Sequence, residues 1–167
     1  MKRQSFDLAG YIKLILPYFL AVLGTFISVM QMPIPSLGFI RPDILLIFVY
    51  FWAIYRPDFF PIALIFLTTL TVDLIHGAAV GLSPIIHIMA FLVVKKQRRF
   101  LLAQSFTVQW LCFCLLCGVK LLIEWGIISA ISVAIMPIVS YIIFFAFSCV
   151  FYPLIAYILM RIHKFVA

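Results

Sequence analysis

The chain has 167 residues, 67% of them apolar and 10% charged, with a mean hydropathy of +1.29. Soluble domains are about half apolar and about a quarter charged. The composition therefore excludes a water-soluble enzyme and indicates a polytopic membrane protein. The net charge of +7 does not imply nucleic acid as a partner, because the charges stand between apolar runs, where they set topology.

A helix needs roughly 20 residues to cross the hydrocarbon core, so this length accommodates about six spans and leaves no room for a soluble domain. The apolar runs are continuous, which excludes the alternating pattern of a membrane barrel. Residues 1–10 form a short polar tail. The first run, Leu14 to Met30, is too long for the apolar core of a cleavable signal and lacks a small-residue cleavage site. It predicts a span near residues 12–31.

A proline-rich turn, "QMPIPSLGFIRPD", leads to a second span over 42–55. The break "RPDFFP" precedes a third over 58–76. After "HGAAVGLSP" a fourth covers 82–94 and is closed by the basic run "KKQRR". A fifth covers 100–123. The last apolar stretch, Ile127 to Met160, is 34 residues long, too long for one span and too short for two with a loop. Proline suits a first helical turn, so Pro137 is taken to open a sixth span over 137–160. Residues 126–136 are then an interfacial or re-entrant piece.

The expected fold is all-α: one integral membrane domain over 1–167, a helix bundle of about six transmembrane helices. Its orientation follows from Lys and Arg. With six spans and both termini cytoplasmic, Lys2, Arg3, Lys13, Arg56, Lys95, Lys96, Arg98, Arg99, Arg161 and Lys164 lie inside, and only Arg41 and Lys120 lie toward the outside. Seven spans would move Arg161 and Lys164 outward, against the positive-inside rule.

This orientation gathers the polar oddities at the outer side. Arg41 and Asp43 stand at the outer end of the second helix, Asp73 and His76 at that of the third, His87 one turn into the fourth, and Lys120 and Glu124 on the fifth. The second span is only about 21 Å long at 1.5 Å per residue, so its outer end sinks into the membrane. Ionisable groups at such depth face a bundle interior or a wet cavity and pair with one another. A polar funnel open to the outside is the structural expectation.

Local signals refine the picture. Ser83-Pro84 reads as an N-cap followed by proline at the first helical position. Asp43 and Asp58 fall in first turns, where a carboxylate meets the positive helix end. Asp73 precedes a C-terminus, where a carboxylate is disfavoured, and so calls for a cationic partner. Lys120 and Glu124, four apart, can pair along one face. Trp52 and Tyr55 fit an interfacial aromatic belt.

Chemistry finds little support. Asp73 and His76 share a face and His87 lies on the next helix, but no second close ligand pair accompanies them, so no metal and no cofactor is expected. One acid–histidine pair is thin ground for a proton relay. Ser83 is explained as a cap, and no G-x-S-x-G or S-x-x-K occurs. Cys112, Cys114, Cys117 and Cys149 lie in apolar runs, and the C-x-x-C at Cys114 and Cys117 has no His or acid beside it.

Two stretches carry a resemblance. "RPDILLIFVYFW", Arg41 to Trp52, resembles the opening of the second helix in the rod shape-determining MreD family, where R-P-[ND] starts an apolar run that carries Tyr-Trp near its end. Here a phenylalanine separates Tyr50 from Trp52. "DLIHGAAVGLSP" matches that family's D-L-x-x-G-x-x-x-G turn at Asp73, Leu74, Gly77 and Gly81. After Phe100 only hydropathy matches.

The resemblance implies a non-enzymatic component of the bacterial inner membrane that regulates cell shape by scaffolding peptidoglycan synthesis in the elongation machinery. It implies MreC as partner and, through it, MreB filaments, the RodA polymerase and a class B penicillin-binding protein. It also implies a fold similar to the substrate-binding subunits of energy-coupling-factor vitamin transporters, which supply the alternative function. Those subunits carry an A-x-x-x-A motif in the first helix. This chain has only Ala21-x-x-x-Thr25 and Gly24-x-x-x-Ser28. The residues singled out are Arg41, Asp43, Asp73, Gly77 and Gly81. Beyond these, the polar cluster takes in His76, His87, Lys120 and Glu124.

Overall fold

The computed structural model describes residues 19, 22–27, 32–34, 38–40, 43–76, 80–131 and 138–166. These residues are helical except for turns and one short hairpin. The helices are α1 (residues 22–27), α2 (Ile44–Tyr55), α3 (Ile62–His76), α4 (Leu82–Ala103), α5 (Phe106–Ile131) and α6 (Ile138–Val166). A 3-10 turn, Pro57–Phe59, joins α2 to α3. Between α1 and α2, β1 (Met32–Ile34) pairs antiparallel with β2 (Gly38–Ile40), with Pro33 opposite Phe39, in a segment expected to be only a turn.

The sequence of α2 has no polar face, and a helix that is apolar all round belongs in an interior. Accordingly Ile44 to Ile54 are all buried. Helix α2 packs on α4, α6 and α5, while α3 packs on the outside of α4, and α5 packs on α6 and α4. Gly24 of α1 also approaches α2: a Cβ there would stand 3.0 Å from the Phe48 ring. Tyr50 meets Phe113 of α5 and Tyr152 of α6 edge-on, with ring centroids 5.4 and 5.7 Å away. Edge-to-face contacts at these spacings are favoured by the ring quadrupoles.

Two helices, Phe106–Ile131 and Ile138–Lys164, are long and apolar enough to cross a membrane. Their outward side chains are large and apolar, including Leu115 and Val150 at 72% and 69% exposure. Such surface is unfavourable in water and suits hydrocarbon. At 12 residues, α2 is about 18 Å long, well short of a bilayer core of about 30 Å.

Several expected boundaries move. Helix α4 does not stop at "KKQRR" but runs through it to Ala103. Lys, Arg and Gln are good helix formers, so leaving the apolar stretch does not end the helix. Helix α5 continues to Ile131, so residues 126–131, expected in an interfacial or re-entrant piece, extend a regular helix. Pro137 lies outside the described residues, and α6 begins at Ile138. Asp58 stands in the 3-10 turn, one turn before α3 begins. Trp52 is fully buried, not interfacial, because α2 is enclosed from Ile44 to Ile54.

Candidate functional site

Asp43 caps α2. Its carboxylate accepts the Leu46 N–H at 3.0 Å, and its own N–H donates to Ser148 Oγ of α6 at 2.9 Å. An N-terminal aspartate satisfies an orphan helix donor and places negative charge at the positive helix end. The same carboxylate pairs with the Lys120 ammonium of α5. Lys120 in turn holds Glu124 Oε1 at 2.9 Å, one turn along. His87 of α4 brings Nε2 to within 3.4 Å of Asp43 Oδ1. Its Nδ1 stands 2.8 Å from the Ser83 carbonyl, which only accepts, so Nδ1 is the donor.

These side chains are enclosed: Asp43 and Glu124 are 15% and 14% exposed, His87 and Lys120 only 4% and 8%. The acids and bases occupy one another, as ionisable groups at depth are expected to. The result is an ionic lock through α2, α4 and α5, with Ser148 adding α6. Removing one partner from a buried pair leaves an uncompensated charge and costs about 3–5 kcal/mol, while replacing both by apolar groups costs far less.

Asp73 also takes a partner that the sequence did not point to. It is 2% exposed, and Oδ2 accepts from the backbone N–H groups of Gly81 and Ser83, each at 3.2 Å. Among the described residues it pairs with no cation. Its compensation is the N-terminus of the next helix, where unpaired N–H groups and the helix dipole favour an anion. Helix α4 begins at Leu82 with Gly81 as N-cap, so Ser83 is not the cap. Gly81 has no side chain to cap with, and Asp73 supplies the cap from the end of α3. Gly81 adopts φ +94, a left-handed conformation that glycine takes without a Cβ clash. The first and last residues of D-L-x-x-G-x-x-x-G thus form one device that turns α3 into α4.

Ser83 links the two parts: its N–H goes to Asp73 and its carbonyl to His87. A continuous polar path therefore runs from Asp73 through Ser83, His87, Asp43 and Lys120 to Glu124. His76 is the last residue of α3. Arg41 and Gly77 lie outside the described residues. Among the described residues no group of three or more His, Cys, Asp or Glu is placed to hold a metal.

The opposite end of α2 carries a second polar cluster, which the sequence pattern did not reveal. Arg98 of α4 donates from Nε to the Ile54 carbonyl at 2.7 Å and from Nη2 to the Tyr55 carbonyl at 3.1 Å. It caps the C-terminus of α2, where carbonyls lack helical partners and a cation is favoured. Gln109 of α5 is 6% exposed. Its Nε2 donates to the Leu101 carbonyl at 2.9 Å, its Oε1 accepts from Tyr55 Oη at 3.3 Å, and its backbone carbonyl accepts from Tyr50 Oη at 2.8 Å. Trp110 Nε1 donates to the Cys149 carbonyl of α6 at 2.9 Å. A lone Gln in an apolar run was the one available signal for this cluster. Arg98 was indistinguishable from its basic neighbours.

A family model described as rod shape-determining protein MreD matches residues 10–162, nearly the whole chain. No curated protein and no solved structure gives a significant match. No solved structure thus supports the expected likeness to transporter subunits.

Proposed function

This chain belongs to the MreD family of rod shape-determining proteins, and from that premise we propose that it is a non-enzymatic, multi-pass scaffold of the bacterial inner membrane. In this reading it crosses the membrane about six times, keeps both termini in the cytoplasm and binds MreC. Through MreC it holds MreB filaments, RodA and a class B penicillin-binding protein in the cell-elongation machinery. The observation that carries the reading is the family match over residues 10–162.

The geometry supports a scaffold. The charged groups Asp43, Lys120 and Glu124 are spent on one another and on helix termini. Such a lock fixes the relative positions of four helices, which is what a docking platform needs. Crosslinking in cells followed by purification of the tagged chain tests the proposal. Recovery of MreC is the expected result. Recovery of paired ATPases without MreC would mark a transporter subunit and overturn it.

A further inference from the structure

The end of the bundle that holds Arg98 is strongly basic, and its cations divide into two kinds. Arg98 is half-buried and committed to α2. Lys95, Lys96 and Arg99 are exposed on the same helix. They occupy a stretch of α4 that remains helical beyond its apolar part, up to Ala103. The C-terminus of α6 arrives at the same end, because His163 lies 5.3 Å from the Tyr55 ring at the end of α2. It adds Arg161 and Lys164, both exposed. Against these five cations, Asp58 is the one exposed acid at this end among the described residues.

The basic stretch also presents apolar groups outward. Phe100 and Leu102 are 56% and 45% exposed, directly beside the cations. Lys95 lies 5.8 Å from the Phe91 ring centroid and Arg161 5.4 Å from that of Tyr157. The Arg161 guanidinium also donates to Tyr157 Oη at 2.8 Å. Long basic side chains lying along apolar and aromatic surface are suited to the boundary between hydrocarbon and headgroups. Cations alone would fit any acidic partner. Exposed Phe and Leu interleaved with them, on a helix rising out of an apolar bundle, fit the membrane surface itself.

We infer that the C-terminal turns of α4 and α6 form a binding surface for anionic phospholipid headgroups, with Lys95, Lys96 and Arg99 as the principal contacts and Arg161 and Lys164 adding to the field. Each basic residue near an anionic leaflet adds about 1 kcal/mol, roughly fivefold in affinity. The surface anchors the outer side of the helix that grips α2 through Arg98. This inference goes beyond the scaffold proposal and does not depend on which protein the chain binds.

The test uses the full chain purified in neutral detergent and titrated with phosphatidylglycerol or phosphatidylcholine. Retained lipid is read by native mass spectrometry, and stability by thermal denaturation. We expect phosphatidylglycerol to be retained at least ~10-fold more tightly than phosphatidylcholine, with a preference that falls as salt rises. K95Q/K96Q/R99Q should abolish most of that preference and leave the lipid-free melting temperature unchanged, because its three side chains are exposed and Arg98 is intact. Equal retention of the two lipids by the native chain overturns the inference, as does a triple variant that folds and keeps the preference. If the triple variant does not fold, the native headgroup comparison decides alone. Stabilisation by polyglutamate but not by phosphatidylglycerol would assign the surface to an acidic protein segment and also overturn it.

Discussion

At its N-terminus α2 meets an imidazole from α4, an ammonium from α5 and a hydroxyl from α6; at its C-terminus it meets the Arg98 guanidinium and a neutral amide–phenol network. Both clusters arise from the same fact. The helix is only 12 residues long and is buried from Ile44 to Ile54, so both ends lie largely among other helices. Four N–H and four carbonyl groups per helix lack internal partners at the ends. In an apolar surrounding each unsatisfied group costs several kcal/mol. The chain answers with an anion at one end and a cation at the other, as the helix dipole favours. The ends differ in how that charge is balanced. Asp43 is compensated by Lys120, whereas Arg98, among the described residues, donates to two backbone carbonyls and lies nearer the exposed basic surface.

The contrast between the two ends is tested most forcefully at the charged one. Lys120→Met leaves Asp43 and Glu124 buried without their cation, and should lower unfolding free energy by about 3–5 kcal/mol, measured by thermal denaturation in detergent. A loss under about 1 kcal/mol would mean the cluster is solvated and the lock does not exist. Asp73→Ala strips two backbone donors of their acceptor at the start of α4 and should cost about 2–3 kcal/mol, at roughly 1 or more per orphaned group. In cells, shape rescue by this variant should fall in step with its stability. Arg98→Met at the opposite end removes a cap but leaves no buried charge, so about 1–2 kcal/mol is expected. If it costs as much as Lys120→Met, the distinction between the two ends fails. Gly81→Ala has open space for its Cβ but an unfavourable φ, and should cost about 1 kcal/mol.

Much of this was legible in the sequence. Continuous apolar runs gave the membrane class, and the placing of Asp43, His87, Lys120 and Glu124 near one end followed from span counting and charge bias. Their pairing was readable because polar residues in oily runs have few options. The backbone donors to Asp73 went unread for a physical reason: the sequence reveals that a carboxylate near a helix C-terminus needs positive charge, but not that the next helix N-terminus can provide some of it. Ser148 is one of two serines in an apolar helix, and nothing in its neighbours marks it as a partner of Asp43. Arg98 was hidden among five consecutive polar residues that share one topological explanation. Only the helical register of α4, which turns residue 98 toward α2 and residues 95, 96 and 99 outward, separates the cap from the surface.

The ionic lock is tested most directly by a double-mutant cycle on Asp43 and Lys120, using Asp43→Asn, Lys120→Met and the pair together. Unfolding free energies of the four proteins would be measured under one set of detergent conditions. Strong coupling is expected: the two single losses should sum to at least about 2 kcal/mol more than the loss in the double variant, because the second substitution removes a charge the first left stranded. Additive losses, within about 0.5 kcal/mol, would mean that the two side chains do not form a lock.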